Sequence, residues 1–186
     1  MPRPGDLLIA ADGGYAWLQD LGLTPDLVIG DMDSLNTPPT GVEVLRLPRE
    51  KDDTDMLAAV RVGMEKGCRS FQIYGGTGGR FDHTLANLQL LAWLSQQQCA
   101  GVLYGADWTA TAVTEGALTL PPAEGDMLSV FAWGGDALGV DLVGLKYPLK
   151  DATLTCQMPL GVSNEFTGVP ACVSVKTGTL LVVQQG

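Results

Sequence analysis

Two textures of apolar and polar positions divide the chain. Up to about residue 106, short apolar runs alternate with stretches whose apolar residues recur at helical spacing. Asp6–Ala11, Leu27–Gly30, Val42–Leu47, Phe71–Tyr74 and Gly101–Tyr104 read as strands. Tyr15–Leu21, Met56–Glu65 and Thr84–Gln97 read as helices, the first two stopped by Gly22 and Gly67. In the third helix Leu85, Leu88, Leu91, Ala92 and Trp93 read as core. Strands alternating with helices predict a mainly parallel sheet with flanking helices.

Past residue 106 the texture is β-rich. Thr109–Thr114, Ala117–Leu120, Met127–Trp133, Thr153–Cys156, Ala171–Val175 and Leu180–Val183 are short runs between Gly and Pro turns, with no amphipathic helix. The fold class predicted is α/β, with an all-β, sandwich-like unit after it. The expected division is 1–106 and 107–186. Gly144–Leu149 and Gly161–Glu165 read as loops, or as pieces that meet a ligand.

Composition narrows the function. The chain has 186 residues, 46% of them hydrophobic, and a formal net charge of -10. Such an acidic field argues against a nucleic-acid or anionic-membrane partner. It still admits a phosphate ligand carried by a divalent cation. Four dispersed cysteines and a single histidine give no zinc pattern. No apolar run of about 20 residues is present and the first residues carry no leader-like segment, so a cytoplasmic location with reduced thiols is expected.

Candidate chemistry clusters where strands give way to helices. Asp12-Gly-Gly14 follows the first strand, and its glycines allow close approach of backbone or ligand. Asp31 and Asp33 follow the second, and residues two apart on extended backbone share a face. Two like charges so placed repel unless a cation lies between them; a solvated turn capped by Ser34 is the plainer reading. Asp52, Asp53 and Thr54 are all good caps for the next helix, yet three carboxylates in Asp52–Asp55 exceed what a helix start requires. Asp52 and Asp55, three apart, would share a helix face.

Gly75-Gly-Thr-Gly-Gly79 is a loop of nearly free backbone that lacks the Lys-Ser/Thr ending of a P-loop. Arg80 beside it offers a planar fork to phosphate oxygens. Asp82 falls at or near a helix N-cap. His83 reads equally as a helix-start hydrogen bonder or a general base. In the β-rich half, Tyr147 offers a ring face to an aromatic or cationic ligand, and Ser163 and Asn164 offer hydrogen bonds.

In order along the chain, Ala11-Asp-Gly-Gly14, Pro25–Ser34, Lys51-Asp-Asp-Thr-Asp55, Gly75–His83 with Asn87, Gly144-Leu-Lys-Tyr147 and Ser163-Asn-Glu165 together resemble the thiamine pyrophosphokinase (thiamine diphosphokinase) family. Family members carry a further strand and helix ahead of the Ala-Asp-Gly-Gly motif; here ten residues precede it. The resemblance implies transfer of pyrophosphate from ATP to thiamine, giving thiamine diphosphate and AMP. It implies a nucleotide-binding α/β domain, a thiamine-binding β-sandwich and a homodimer with thiamine near the subunit interface. By matching motif, Asp31, Asp33 and Asp55 would lie around Mg²⁺, with Arg80 and Asp82 completing the catalytic group. Asp12, Gly13, Asp52, Gly78, Gly79, His83 and Asn87 would contact ATP. Tyr147, Ser163 and Asn164 would line the thiamine site. Asp55 and Asp82 both remain candidates for the base. A nucleotide hydrolase and a binding protein without turnover are the alternatives.

Overall fold

The computed structural model describes residues 2–32, 39–48, 50 and 52–185. These form two compact units, 1–68 and 69–186.

The first unit is a three-stranded parallel sheet in the order β1 (Ile9–Ala11), β2 (Leu27–Gly30), β3 (Glu43–Arg46). All four residues of β2 are buried, as its central place demands. Alternation sends Val28 to one face, where it packs with Ala10 of β1 and with Tyr15 and Leu18 of α1 (Gly14–Asp20). Leu27 and Ile29 face the other way, onto Ala58, Ala59 and Val62 of α2 (Asp55–Glu65). Thr54 caps α2, its hydroxyl accepting from the Leu57 N–H at 3.1 Å. Asp52 therefore lies ahead of the helix and does not share a helical face with Asp55, contrary to the sequence expectation.

The second unit begins with β4 (Ser70–Ile73), α3 (Phe81–Gln96) and β5 (Ala100–Tyr104). β4 and β5 pair in parallel. Eight strands follow: β6 (Trp108–Thr114), β7 (Ala117–Leu120), β8 (Glu124–Ala132), β9 (Ala137–Val143), β10 (Leu149–Leu154), β11 (Gly161–Thr167), β12 (Ala171–Ser174) and β13 (Thr179–Gln185). They build a four-stranded sheet, β10-β9-β12-β7, and a six-stranded sheet, β11-β8-β13-β6-β5-β4. Leu128, Val130, Phe166, Leu180 and Val182 of the larger sheet pack on Val140, Leu142, Leu154 and Val173 of the smaller one. α3 lies on β5, β6 and β13. Gly101 makes that approach possible: a Cβ there would fall 2.8 Å from Leu94 and 3.0 Å from Leu91.

The α/β class with a β-rich second half holds. Several details differ from expectation. Among the described residues the parallel strands do not form one sheet, because β4 and β5 extend the larger sheet of the β-rich half. β5 turns antiparallel into β6 through a tight turn closed by the Gly105 N–H on the Trp108 carbonyl at 2.8 Å. β11 is a strand where Gly161–Glu165 reads as a loop, and β9 falls where the sequence suggests no element. α3 starts at Phe81, three residues early, and its buried face is Asn87, Leu90, Leu91, Ala92 and Leu94; Leu85 is 41% exposed. The packing division falls at 68/69, and the change of texture near residue 106 falls in the β5–β6 turn. All four cysteines are free thiols.

Candidate active site

In the first unit Asp12 and Asp31 directly follow the carboxyl ends of parallel strands, where ligands of such sheets bind. Asp12 follows β1 and holds a left-handed backbone, φ 45°. Its N–H donates to the Ile29 carbonyl at 2.7 Å. Gly30 ends β2 against it, so closely that a Cβ on Gly30 would lie 3.1 Å from the Asp12 Cα. Gly30 is required by this contact, and Asp31 follows directly. Gly13 is the N-cap of α1 and supplies no side chain.

Asp55 opens α2, in the turn where the helix dipole favours a carboxylate. Asp12 and Asp55 each bury one carboxylate oxygen, Oδ1. Asp53 pairs with Arg61, two turns into α2. With Asp52, Leu47 and Pro48 they line a cleft of about 430 Å³. Arg61 was not singled out from sequence, since a pair eight residues apart across a helix start has no motif. Asp33, Ser34 and Lys51 lie outside the described residues. Among the described residues no group of three or more His, Cys, Asp or Glu is placed to hold a metal ion.

The second unit carries the glycine loop and α3. Gly75 and Gly78 take φ 68° and 84°, conformations that favour glycine. Gly78 and Gly79 have open space where a Cβ would stand, so another molecule can come close to their backbone. The loop delivers Arg80 as the N-cap of α3, without any side-chain cap. Open glycine backbone, a helix N-terminus and a guanidinium in sequence suit a phosphate.

Arg80 grips Asp82 with two donors, Nε on Oδ1 at 3.2 Å and Nη2 on Oδ2 at 2.5 Å. Both side chains are exposed. Hydrogen bonding and charge from Arg80 hold the Asp82 carboxyl below its ordinary range, and Asp82 raises Arg80 in turn. Asp82 is not the N-cap but sits in the first helical turn, where its Oδ1 also accepts the His83 N–H at 3.0 Å. His83 is exposed. Asn87 lies on the buried face of α3 and donates to the Gly76 carbonyl at 2.8 Å.

The β-rich part of this unit brings Tyr147, Ser163 and Asn164 together. Ser163 has φ 60°, at a register shift between Gly161 and Asn164 in β11. Its N–H donates to Ser129 Oγ at 3.2 Å. Asn164 is buried and hydrogen-bonds the main chain of Tyr147. Tyr147 is 59% exposed. Lys146 Nζ pairs with Glu165 Oε2 at 2.6 Å and stands 5.8 Å from the centre of the Tyr147 ring. The Glu165 carboxylate raises Lys146 above its ordinary pKa. This pair spans nineteen residues and escaped the sequence reading.

Comparison with known proteins gives matches along both halves. The family model described as thiamin pyrophosphokinase, catalytic domain, matches residues 3–103. The one described as thiamin pyrophosphokinase, vitamin B1 binding domain, matches 117–180. A thiamine pyrophosphokinase of Bacillus subtilis is 30% identical, over 96% of this chain and 86% of its own. The crystal structure of a thiamine pyrophosphokinase from Bacillus subtilis superposes with a TM-score of 0.87 at 28% identity, covering 95% of this chain and 86% of that one. That of a thiamin pyrophosphokinase from Geobacillus thermodenitrificans gives 0.83 at 25% identity, covering 96% and 85%.

Proposed function

The chain belongs to the thiamin pyrophosphokinase family, and from that membership we propose a residue-by-residue account of its chemistry. Its activity is that of a thiamine diphosphokinase. The observation that carries this is the ordered match of both family models, catalytic then vitamin-binding, on one chain.

The substrates are ATP and thiamine. The thiamine hydroxyethyl oxygen attacks the β-phosphorus of ATP, a P–O bond forms there, and the bond to the oxygen bridging the α-phosphorus breaks. AMP leaves and the hydroxyl proton passes to a carboxylate, Asp55 or Asp82. The protein's part in such a transfer is chiefly positioning and charge neutralisation.

Carboxylates are hard oxygen donors of the kind Mg²⁺ takes, so Asp31, Asp33 and Asp55 fit that ion. Mg²⁺, when bound, offsets charge on the phosphate oxygens. By the family's motifs, Asp12, Gly13 and Asp52 are assigned to nucleotide binding. Gly78 and Gly79 are assigned to present backbone to phosphate, Arg80 to offset charge developing on it, and His83 and Asn87 to the same nucleotide-binding set. The functional division is a nucleotide-binding part, 1–106, and a thiamine-binding part, 107–186. In the latter, Tyr147 and Ser163 line the thiamine site with Asn164 beside them. The thiazolium is cationic, which suits an aromatic face and an acidic protein. A homodimer in the cytoplasm is the expected working form. Among the described residues no helix is long and apolar enough to cross a membrane.

The test is AMP release from ATP and Mg²⁺ with and without thiamine, with thiamine diphosphate measured in the same tubes. Both products should rise together and only with thiamine. ATP breakdown indifferent to thiamine would instead make the protein a nucleotide hydrolase.

A further inference from the structure

We propose that Asn164 is a positioning residue for the thiamine subsite, acting through Tyr147 rather than by touching thiamine. The proposal rests on the assignment of Tyr147 to that subsite.

The Asn164 side chain is committed to main chain. Its Oδ1 accepts the Tyr147 N–H at 2.9 Å and the Glu165 N–H at 2.9 Å. Its Nδ2 donates to the Tyr147 carbonyl at 2.7 Å. The amide orientation follows from its partners, since an N–H only donates and a carbonyl only accepts. Both lone pairs of Oδ1 are thereby used. One N–H remains, on a residue only 3% exposed. Little of Asn164 is left for a substrate.

Tyr147 needs this support. It lies outside the strands, between β9 and β10, and Pro148 after it has no N–H to offer. One side-chain amide meeting both main-chain groups of Tyr147 replaces the ladder that a strand neighbour would supply. The two preceding residues are laid on β11 as well. Leu145 bridges to Phe166, and the Lys146 N–H donates to the Glu165 carbonyl at 2.9 Å. The left-handed turn at Ser163 shifts the register of β11 just before Asn164. The backbone of Tyr147 is thus fixed from behind while the residue stays exposed.

The test is steady-state kinetics of the full chain with Asn164→Ala, Asn164→Asp, Tyr147→Ala and the Tyr147→Ala/Asn164→Ala double variant. Losing buried hydrogen bonds of this kind should raise the thiamine KM of Asn164→Ala by about tenfold. The ATP KM and the kcat at saturation should stay near wild type. In the double variant the thiamine KM should equal that of Tyr147→Ala alone, because Asn164 then has no ring to place. Multiplying effects would overturn the proposal and make Asn164 a direct contact.

Asn164→Asp decides the matter independently, and serves where the alanine variant does not fold. It keeps Oδ1 but turns a carboxylate oxygen on the Tyr147 carbonyl, so thiamine should bind more weakly. A direct contact would gain from the new negative charge beside a cationic substrate, so tighter thiamine binding overturns the proposal. An unchanged thiamine KM in Tyr147→Ala alone would remove Tyr147 from the subsite, and with it the premise.

Discussion

The Asn87 side-chain amide reaches from the buried face of α3 to the Gly76 carbonyl, 2.8 Å away. Gly76 is pressed against its holder: a Cβ there would lie 2.8 Å from Asn87 Nδ2 and 2.9 Å from Leu103 Cδ1. The glycine loop is therefore tethered at its root. Its far end, Gly78 and Gly79, faces open space. A phosphate-binding loop has use for that combination, because exposed N–H groups bind an anion well only if the backbone carrying them is already placed.

Asn87→Leu should lose the hydrogen bond and leave a carbonyl without its donor at the base of the loop. A stability loss of about 1–3 kcal/mol is expected, read from urea unfolding. The ATP KM should rise more than the thiamine KM. Equal changes in the two, or none, would mean the tether does not serve the nucleotide.

Arg80 is the guanidinium at the mouth of the loop, and its role depends on shape as well as charge. Arg80→Ala should lower kcat by roughly a hundredfold, as for other groups that offset transition-state charge. Arg80→Lys should recover little of it, since an ammonium cannot make the paired contact. A lysine variant with near wild-type kcat would reduce Arg80 to a point charge. An effect confined to the thiamine KM would move it out of the phosphate site.

What the sequence made legible follows from where each signal resides. The fold class was readable because its signal is local: the continuous apolar run Leu27–Ile29 marks a strand covered on both faces, Val28 by α1 and Leu27 and Ile29 by α2. β11 was not readable as a strand because its inward residue at mid-strand is Asn164, polar and satisfied by a loop seventeen residues away. β9 was hidden by Gly139 and Asp141, which interrupt its apolar run. The early start of α3 had no signature, since Arg80 caps it without a side-chain bond. Motifs supplied the candidate residues, but what Asn87 and Asn164 hold is a long-range relationship, and spacing carries no trace of it.

The Arg80–Asp82 pair bears on which carboxylate takes the thiamine proton. Arg80 depresses the Asp82 pKa. The sign is that of a carboxylate favoured in its charged form: the pair is intact above the ordinary carboxylate range and is lost only as pH falls through a still lower value. A carboxylate so held is the weaker base. Asp82→Asn should therefore lower kcat yet leave the acid limb of its pH profile in place. A displaced limb in that variant would identify Asp82 as the base.

Asp31 follows the end of β2 and Asp55 opens α2. Asp31→Asn and Asp55→Asn remove charge with little change of shape. Each should raise the Mg²⁺ concentration needed for half-maximal rate and weaken binding of ATP with Mg²⁺ in calorimetry. Unchanged Mg²⁺ dependence in both would take the ion elsewhere.

Phe166 joins the sandwich core to the segment that carries Tyr147. It is among the largest fully buried side chains, packed between the two sheets, and its backbone bridges Leu145 two residues before Tyr147. Phe166→Ala should destabilise the protein by about 3–5 kcal/mol through lost burial and the cavity left behind. Phe166→Leu keeps most of the volume and should cost less. The informative comparison is the thiamine KM of Phe166→Leu under conditions where the variant is fully folded. Leu145 and Lys146 should remain on β11, because their contacts there are made by main chain, so the KM should stay close to wild type. A raised thiamine KM in a folded Phe166→Leu would mean that core packing, and not the Asn164 amide alone, sets the position of Tyr147.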